Sequence, residues 1–121
     1  MKILQQYNEI AKKKGILLTD LKINSYAFNR TDTLEAIDAL EQDGMAILGG
    51  DVLVAQEGKW KWGYTNNNWY CNPQPDEVAK FYIKRCADVA RDYVKNYNET
   101  RDKKYIYNLI FSEVFGKQAD K

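Results

Sequence analysis

The sequence contains no histidine. Histidine is the side chain most used as a neutral-pH base, proton shuttle and zinc ligand, so Ser-His and Cys-His nucleophile pairs are excluded. Sulfur is almost as scarce. Cys71 and Cys86 are the only cysteines, and two thiols without histidine cannot complete a structural zinc site. In a chain with no export signal they read as small buried apolar residues, with a disulfide as the minor alternative. No metal and no other cofactor is expected. A dominant charge is also missing: Lys and Arg total 18 and Asp and Glu total 17. No overall field therefore favours nucleic acid, anionic lipid or an acidic substrate. Nowhere do about 18 apolar residues follow one another, as a membrane span requires, and the segment from Met1 to Gly15 lacks the apolar stretch of a signal peptide. These absences lead to the expectation of a cytoplasmic protein with neither membrane nor nucleic acid as partner.

What is present fits a folded globular chain. Apolar residues make up 45% and charged residues 29% of 121 positions, which predicts one domain over residues 1–121 with a single core. Ile3, Leu4, Tyr7, Ile10 and Ala11 recur at helical spacing, and Lys12, Lys13 and Lys14 complement the negative end of the helix dipole. Gly15 is expected just past that end in the left-handed conformation. Residues 16–23 are apolar without clean periodicity and read as an extended or irregular connection. Asp32 and Glu35 resemble a capping box for a second helix that carries Leu34, Ile37 and Leu40, with Ala36 and Ala39 alongside, and closes at Gly44.

From Met45 the pattern becomes that of strands. Met45–Leu48 and Val52–Ala55 are short apolar runs separated by Gly49, Gly50 and Asp51, the glycines forming either a turn or a kink in one long strand. A hairpin turn at Glu57-Gly58 would set Ala55 opposite Trp60 and Leu53 opposite Trp62. Leu53, Ala55, Trp60, Trp62 and Tyr64 then share one face. Asn66, Asn67 and Asn68 predict a turn, and Asn72-Pro73-Gln74-Pro75 a second break, with Trp69, Tyr70 and Cys71 in a loop between them. A long helix over 76–97 follows, with Ala79, Tyr82, Cys86, Val89, Tyr93 and Tyr97 on its apolar stripe. Residues 104–112 alternate and favour a strand, although Ile106, Ile110 and Val114 also fit a helix. The tail over 116–121 is expected to fray. The fold class is therefore α+β: a small antiparallel sheet, made of a hairpin around 45–64 and a C-terminal strand over 104–112, packed against two or three helices.

Gly49-Gly50-Asp51-Val52, then Asn68-Trp69-Tyr70-Cys71 after a hairpin, then a long helix ending near Tyr97, resembles the immunity protein 40 family of bacterial polymorphic toxin systems. The approach Asn24-Ser25-Tyr26-Ala27-Phe28 and the helix after it are similar too, so the resemblance spans roughly residues 24–97. Where the family carries an acidic residue shortly before its Asn-Trp pair, this chain has Thr65, Asn66 and Asn67. The resemblance implies a protein that binds and inactivates a cognate toxin, made beside it and delivered by secretion or contact. Such an antidote needs a stable fold and a complementary surface but no catalytic chemistry.

The candidate partner-binding residues are Asp51, Tyr64, Asn68, Trp69 and Tyr70, while Gly49, Gly50, Trp60 and Trp62 read as structural. Trp60, Trp62 and Tyr64 are either an exposed aromatic platform or sheet core, and the roughly 200 Å² that each Trp removes from water favours the core. Asp51 either caps a turn or presents a carboxylate to a basic partner. Trp69 is expected to plug onto the core with its indole N–H on a carbonyl, and Tyr70 to be exposed. On the long helix Glu77, Lys80, Lys84, Asp88, Arg91, Asp92 and Lys95 form a mixed-charge face, solvated apart from weak pairs such as Asp88–Arg91. The competing function is a carbohydrate or small-ligand module built on the Trp, Tyr and Asn cluster over 60–70. An enzyme is the least favoured class, since only Asp51 with Glu57 or Asp76 suggests paired carboxylates. The expected state is a monomer, or a weak homodimer if residues 105–111 form an edge strand.

Overall fold

A computed structural model describes residues 4–22, 25–56 and 61–114. Three helices, α1 (Gln5–Lys14), α2 (Arg30–Gln42) and α3 (Ala79–Asn96), accompany five strands: β1 (Ile16–Leu17), β2 (Tyr26–Phe28), β3 (Ala46–Gln56), β4 (Gly63–Tyr70) and β5 (Lys103–Ser112). The strands form one sheet in the order β1-β2-β5-β3-β4, antiparallel at every pairing. The α+β class stands, with a wider sheet than the sequence predicts. Strands β1 and β2 are two and three residues long, too short to show an alternation. A 3-10 turn, Thr19–Leu21, lies between them.

The helices cover one face of this sheet. Tyr7 and Ala11 of α1, Ala36, Ile37 and Leu40 of α2, and Tyr82, Cys86, Ala90 and Val94 of α3 join Phe28, Val52, Trp69, Tyr107 and Leu109 in the main core. Strand alternation turns Ala27, Leu53 and Ile106 to the opposite face, where they pack with Leu18, Leu21 and Trp62 in a second, smaller cluster. The connection after α1 thus covers one end of the second face.

Several local expectations change. Gly15 is extended (φ −75°), and its N–H donates to the Ala11 carbonyl. It is needed for space, because a Cβ there would lie 2.6 Å from the Ala11 oxygen and 2.7 Å from the Tyr26 ring. The cap of α2 is Asn29, whose side chain accepts the Asp32 N–H at 2.8 Å. Glu35 pairs instead with Lys14 at 2.8 Å, tying α1 to α2. Gly44 follows α2 with φ 77°, as the helix stop requires. Helix α3 starts at Ala79 rather than 76, because Asp76 takes φ 62° and Val78 is extended.

The glycine pair lies inside the long strand β3 and forms no turn. The three asparagines do not end a strand either: all belong to β4. Asp51 pairs with Asn68 and Leu53 with Tyr64, so residues 65–67 stand opposite Val52 alone. Asn66 absorbs this bulge with φ 69°, a conformation asparagine tolerates better than most residues. The register differs by two residues from the expected one, which keeps Leu53 and Tyr64 on the predicted shared face. The Glu57-Gly58 turn, Trp60 and the 116–121 tail lie outside the described residues. Strand β5 sits between β2 and β3. It is therefore not the edge strand on which the weak-homodimer expectation was conditioned.

Candidate functional site

The face of the sheet without helices carries a single row of side chains across all five strands: Ile16, Ala27, Asn108, Asp51 and Asn68. On one side of this row lie Ile106, Leu53 and Tyr64, and on the other Ile110, Gly49 and Tyr70. Leu18, Leu21 and Trp62 pack over the Leu53 end. The Gly49 end is open. Tyr70 is 73% and Ile110 47% exposed at this end, and Tyr64 is 50% exposed on the other side of the row.

Asp51 lies at the centre of this open end and is half-buried. Among the described residues its carboxylate has no hydrogen-bond or ion-pair partner, and partial burial raises its pKa above the ordinary carboxylate value. The neighbouring amide of Asn108 turns away, donating to the Tyr26 carbonyl and the Ser25 hydroxyl at 2.8 Å each. Gly49 contributes no side chain between Tyr70 and Ile110.

Trp69 faces the other way. It is 6% exposed in the main core and stacks on Tyr93 of α3 with ring centroids 4.7 Å apart. The expected plug is present, but on a strand rather than a loop, and its indole N–H finds no carbonyl among the described residues. It explains both glycines. A Cβ on Gly50 would lie 2.3 Å from the Trp69 ring and 2.6 Å from the Asn108 carbonyl, and one on Gly49 2.3 Å from the Trp69 carbonyl. The Gly-Gly pair is thus the space that Trp69 and its strand occupy.

Of the predicted candidates, Asp51, Tyr64, Asn68 and Tyr70 share the open face, while Trp69 supports it from behind. Trp62 is half-buried in the smaller cluster, as the core reading requires, whereas Tyr64 is not core. Ile16, Asn108 and Ile110 also belong to the face and were not singled out from the sequence. The alternation within 104–112 was the signal that pointed to the last two. The described aromatic and amide side chains over 62–70 are divided between the two faces of the sheet. A shallow hollow of about 500 Å³ between β4 and α3, lined by Asn67, Tyr93, Asn96 and Tyr97 among others, takes only part of it.

The charged side chains of α3 are more engaged than a solvated face. Arg91 bonds Asp38 and Asp88 at 2.9 Å each and also Glu41, clamping α3 to α2. Arg85 holds Glu77 through two bonds of 2.7 and 2.8 Å and the Asn72 carbonyl at 2.7 Å. This pushes the Glu77 carboxyl down to about 2. Cys71 and Cys86 are both buried free thiols, and burial pushes the Cys86 thiol up to about 12. No group of three or more potential metal ligands occurs among the described residues, and none of their helices is long and apolar enough to cross a membrane.

Searches of curated proteins and of solved structures each returned no significant match. The model of the immunity protein 40 family, in contrast, matches residues 17–111, a span that runs from β1 through nearly all of β5 and contains the glycine pair, Asp51, Trp69 and α3. The chain belongs to the immunity protein 40 family.

Proposed function

We propose that this protein binds a cognate bacterial toxin one-to-one and neutralises it. It acts in the cytoplasm of the cell that makes both, and the toxin belongs to a polymorphic or contact-delivered system. Family membership over 17–111 is the observation that carries the reading. The open sheet face is the docking surface this function calls for: Tyr64 and Tyr70 supply apolar area, and Asp51 and Asn68 supply polar specificity. Neutralisation by binding makes and breaks no bond, in keeping with a site built from one carboxylate, amides and tyrosines.

Co-expression with the product of the adjacent upstream gene tests the reading. That gene alone is expected to arrest growth, and this protein to restore growth and to co-purify with its product. A harmless neighbour whose product never co-purifies contradicts it.

A further inference from the structure

Strand β4 forms the edge of the sheet beside β3, and its outer side is open over a short, bounded stretch. The Cys71 N–H donates to the Leu48 carbonyl at 2.9 Å, which fixes the alternation where 48–51 pair with 68–71. The N–H groups of Cys71 and Trp69 turn toward β3, whereas the N–H and C=O groups of Asn68 and Tyr70 turn away from it. Both residues are exposed, and these outward groups have no partner among the described residues. The chain closes both flanks of the stretch with its own bonds. On one side the Asn67 N–H donates to the Thr65 hydroxyl at 3.0 Å, and the Asn67 amide to the Tyr97 hydroxyl at 2.8 Å. On the other, Tyr82 and Arg85 donate to the Cys71 and Asn72 carbonyls at 2.6 and 2.7 Å, and Pro73 has no N–H to offer. Bulges, prolines and charges are the usual protection of a sheet edge. Here they stop on either side of 68–70, a stretch that itself holds neither charge nor proline.

We propose that residues 68–70 of β4 receive an extended segment of the toxin, which joins the sheet as an added strand through the outward main-chain groups of Asn68 and Tyr70. This rests on the toxin-neutralising reading and names the mode of contact. Successive side chains of an added strand turn to opposite faces. One set lies beside Tyr70, continuous with the open face, and the other turns toward the hollow between β4 and α3 lined by Asn67, Tyr93 and Asn96. Main-chain pairing supplies affinity, and these two surfaces read the side chains. A second copy of this chain fits less well. Antiparallel self-pairing about Trp69 sets each bulge opposite Asn72 and Pro73 of the other copy, so the ladder ends at Asn68 and Tyr70. That is a contact of three residues a side, against the roughly 20 of a stable interface.

The test uses the full chain and the toxin carrying an inactivating substitution. Hydrogen exchange is followed amide by amide by NMR, with and without saturating toxin. In the free protein the Trp69 amide is expected to exchange slowly and those of Asn68 and Tyr70 fast; in the complex all three become slow. A pair of variants separates the main chain from the ring. Tyr70→Ala keeps the N–H, whereas Tyr70→Pro removes an outward donor and none of the bonds to β3. Calorimetry should show Tyr70→Pro binding about tenfold or more weaker than Tyr70→Ala, because a toxin carbonyl is left buried without a donor. Asn68 and Tyr70 amides that stay fast in the complex, or equal affinities for the two variants, overturn this inference while the neutralising function stands. Protection that grows with protein concentration in the absence of toxin assigns the edge to a second copy and overturns it too. A wild-type chain that does not bind the toxin overturns both readings.

Discussion

Gly50 and Asp51 are adjacent in sequence but point to opposite faces of β3, and they carry opposite relations to stability. At Gly50 a methyl group would meet the Trp69 ring and the Asn108 carbonyl, and a backbone carbonyl held by a sheet cannot move aside. Gly50→Ala is therefore expected to cost about 2 kcal/mol or more, the upper range for overpacking. Gly63→Ala, whose nearest obstacle is the Val54 oxygen at 4.0 Å, should stay within about 0.5 kcal/mol of wild type. Urea unfolding of the two variants checks the contrast. The partial burial of Asp51 predicts that its ionised form lowers the stability of the unbound protein. Its folded pKa is raised, so the native state binds the proton more tightly than the unfolded chain. The penalty is absent below the unfolded pKa and complete above the folded one. Asp51→Asn should thus raise the thermal midpoint at pH 7 and leave it unchanged near pH 3, as scanning calorimetry would show. A carboxylate predicted to cost stability, with no polar partner among the described residues, is the pattern expected of a binding residue.

At the scale of elements, legibility followed the length of each periodic pattern. Helix α3 repeats its apolar stripe over 18 residues and was readable in the sequence, whereas β5 was favoured as a strand with a helix left open, because residues 106–109 are buried on both faces of the sheet. Strand β4 was not, because Asn66, Asn67 and Asn68 are turn formers by their own hydrogen bonding. Here a bulge lets them stay in the sheet. The cap of α2 was missed although Asn29 precedes Asp32 by the three residues that a cap requires. The segment after β4 depends on one clamp. Glu77 accepts from Arg85 and also from the Gln74 N–H at 3.0 Å, fastening the proline-containing loop to α3. Arg85→Ala is expected to cost about 1–2 kcal/mol after allowance for the partial exposure of the guanidinium. The depressed Glu77 pKa sets the pH window: its contribution is fully present above the ordinary value of 4.5 and is lost as pH falls toward about 2. Denaturation of wild type and Arg85→Ala between pH 6 and pH 2 should show the two curves converging in acid.

At the scale of the whole molecule, the sheet divides labour between its faces. One is occupied by three helices and the aromatic stack of Trp69, Tyr93 and Tyr97. The other is covered at the Leu53 end and open at Asp51. The composition indicated recognition rather than catalysis, and the Gly-Gly-Asp and Asn-Trp-Tyr segments carried the family resemblance. Which residues converge was not legible. Asp51, Asn68 and Tyr70 come together only through a bulged register that places Asn68 opposite Asp51 and Tyr70 opposite Gly49. The most direct test is the stoichiometry and effect of complex formation. The purified protein, titrated into the active product of its neighbouring gene, should form a one-to-one complex by light scattering and abolish the toxin's activity at the same equivalence point. Toxin activity that persists in excess protein, with the two eluting separately, would contradict the account.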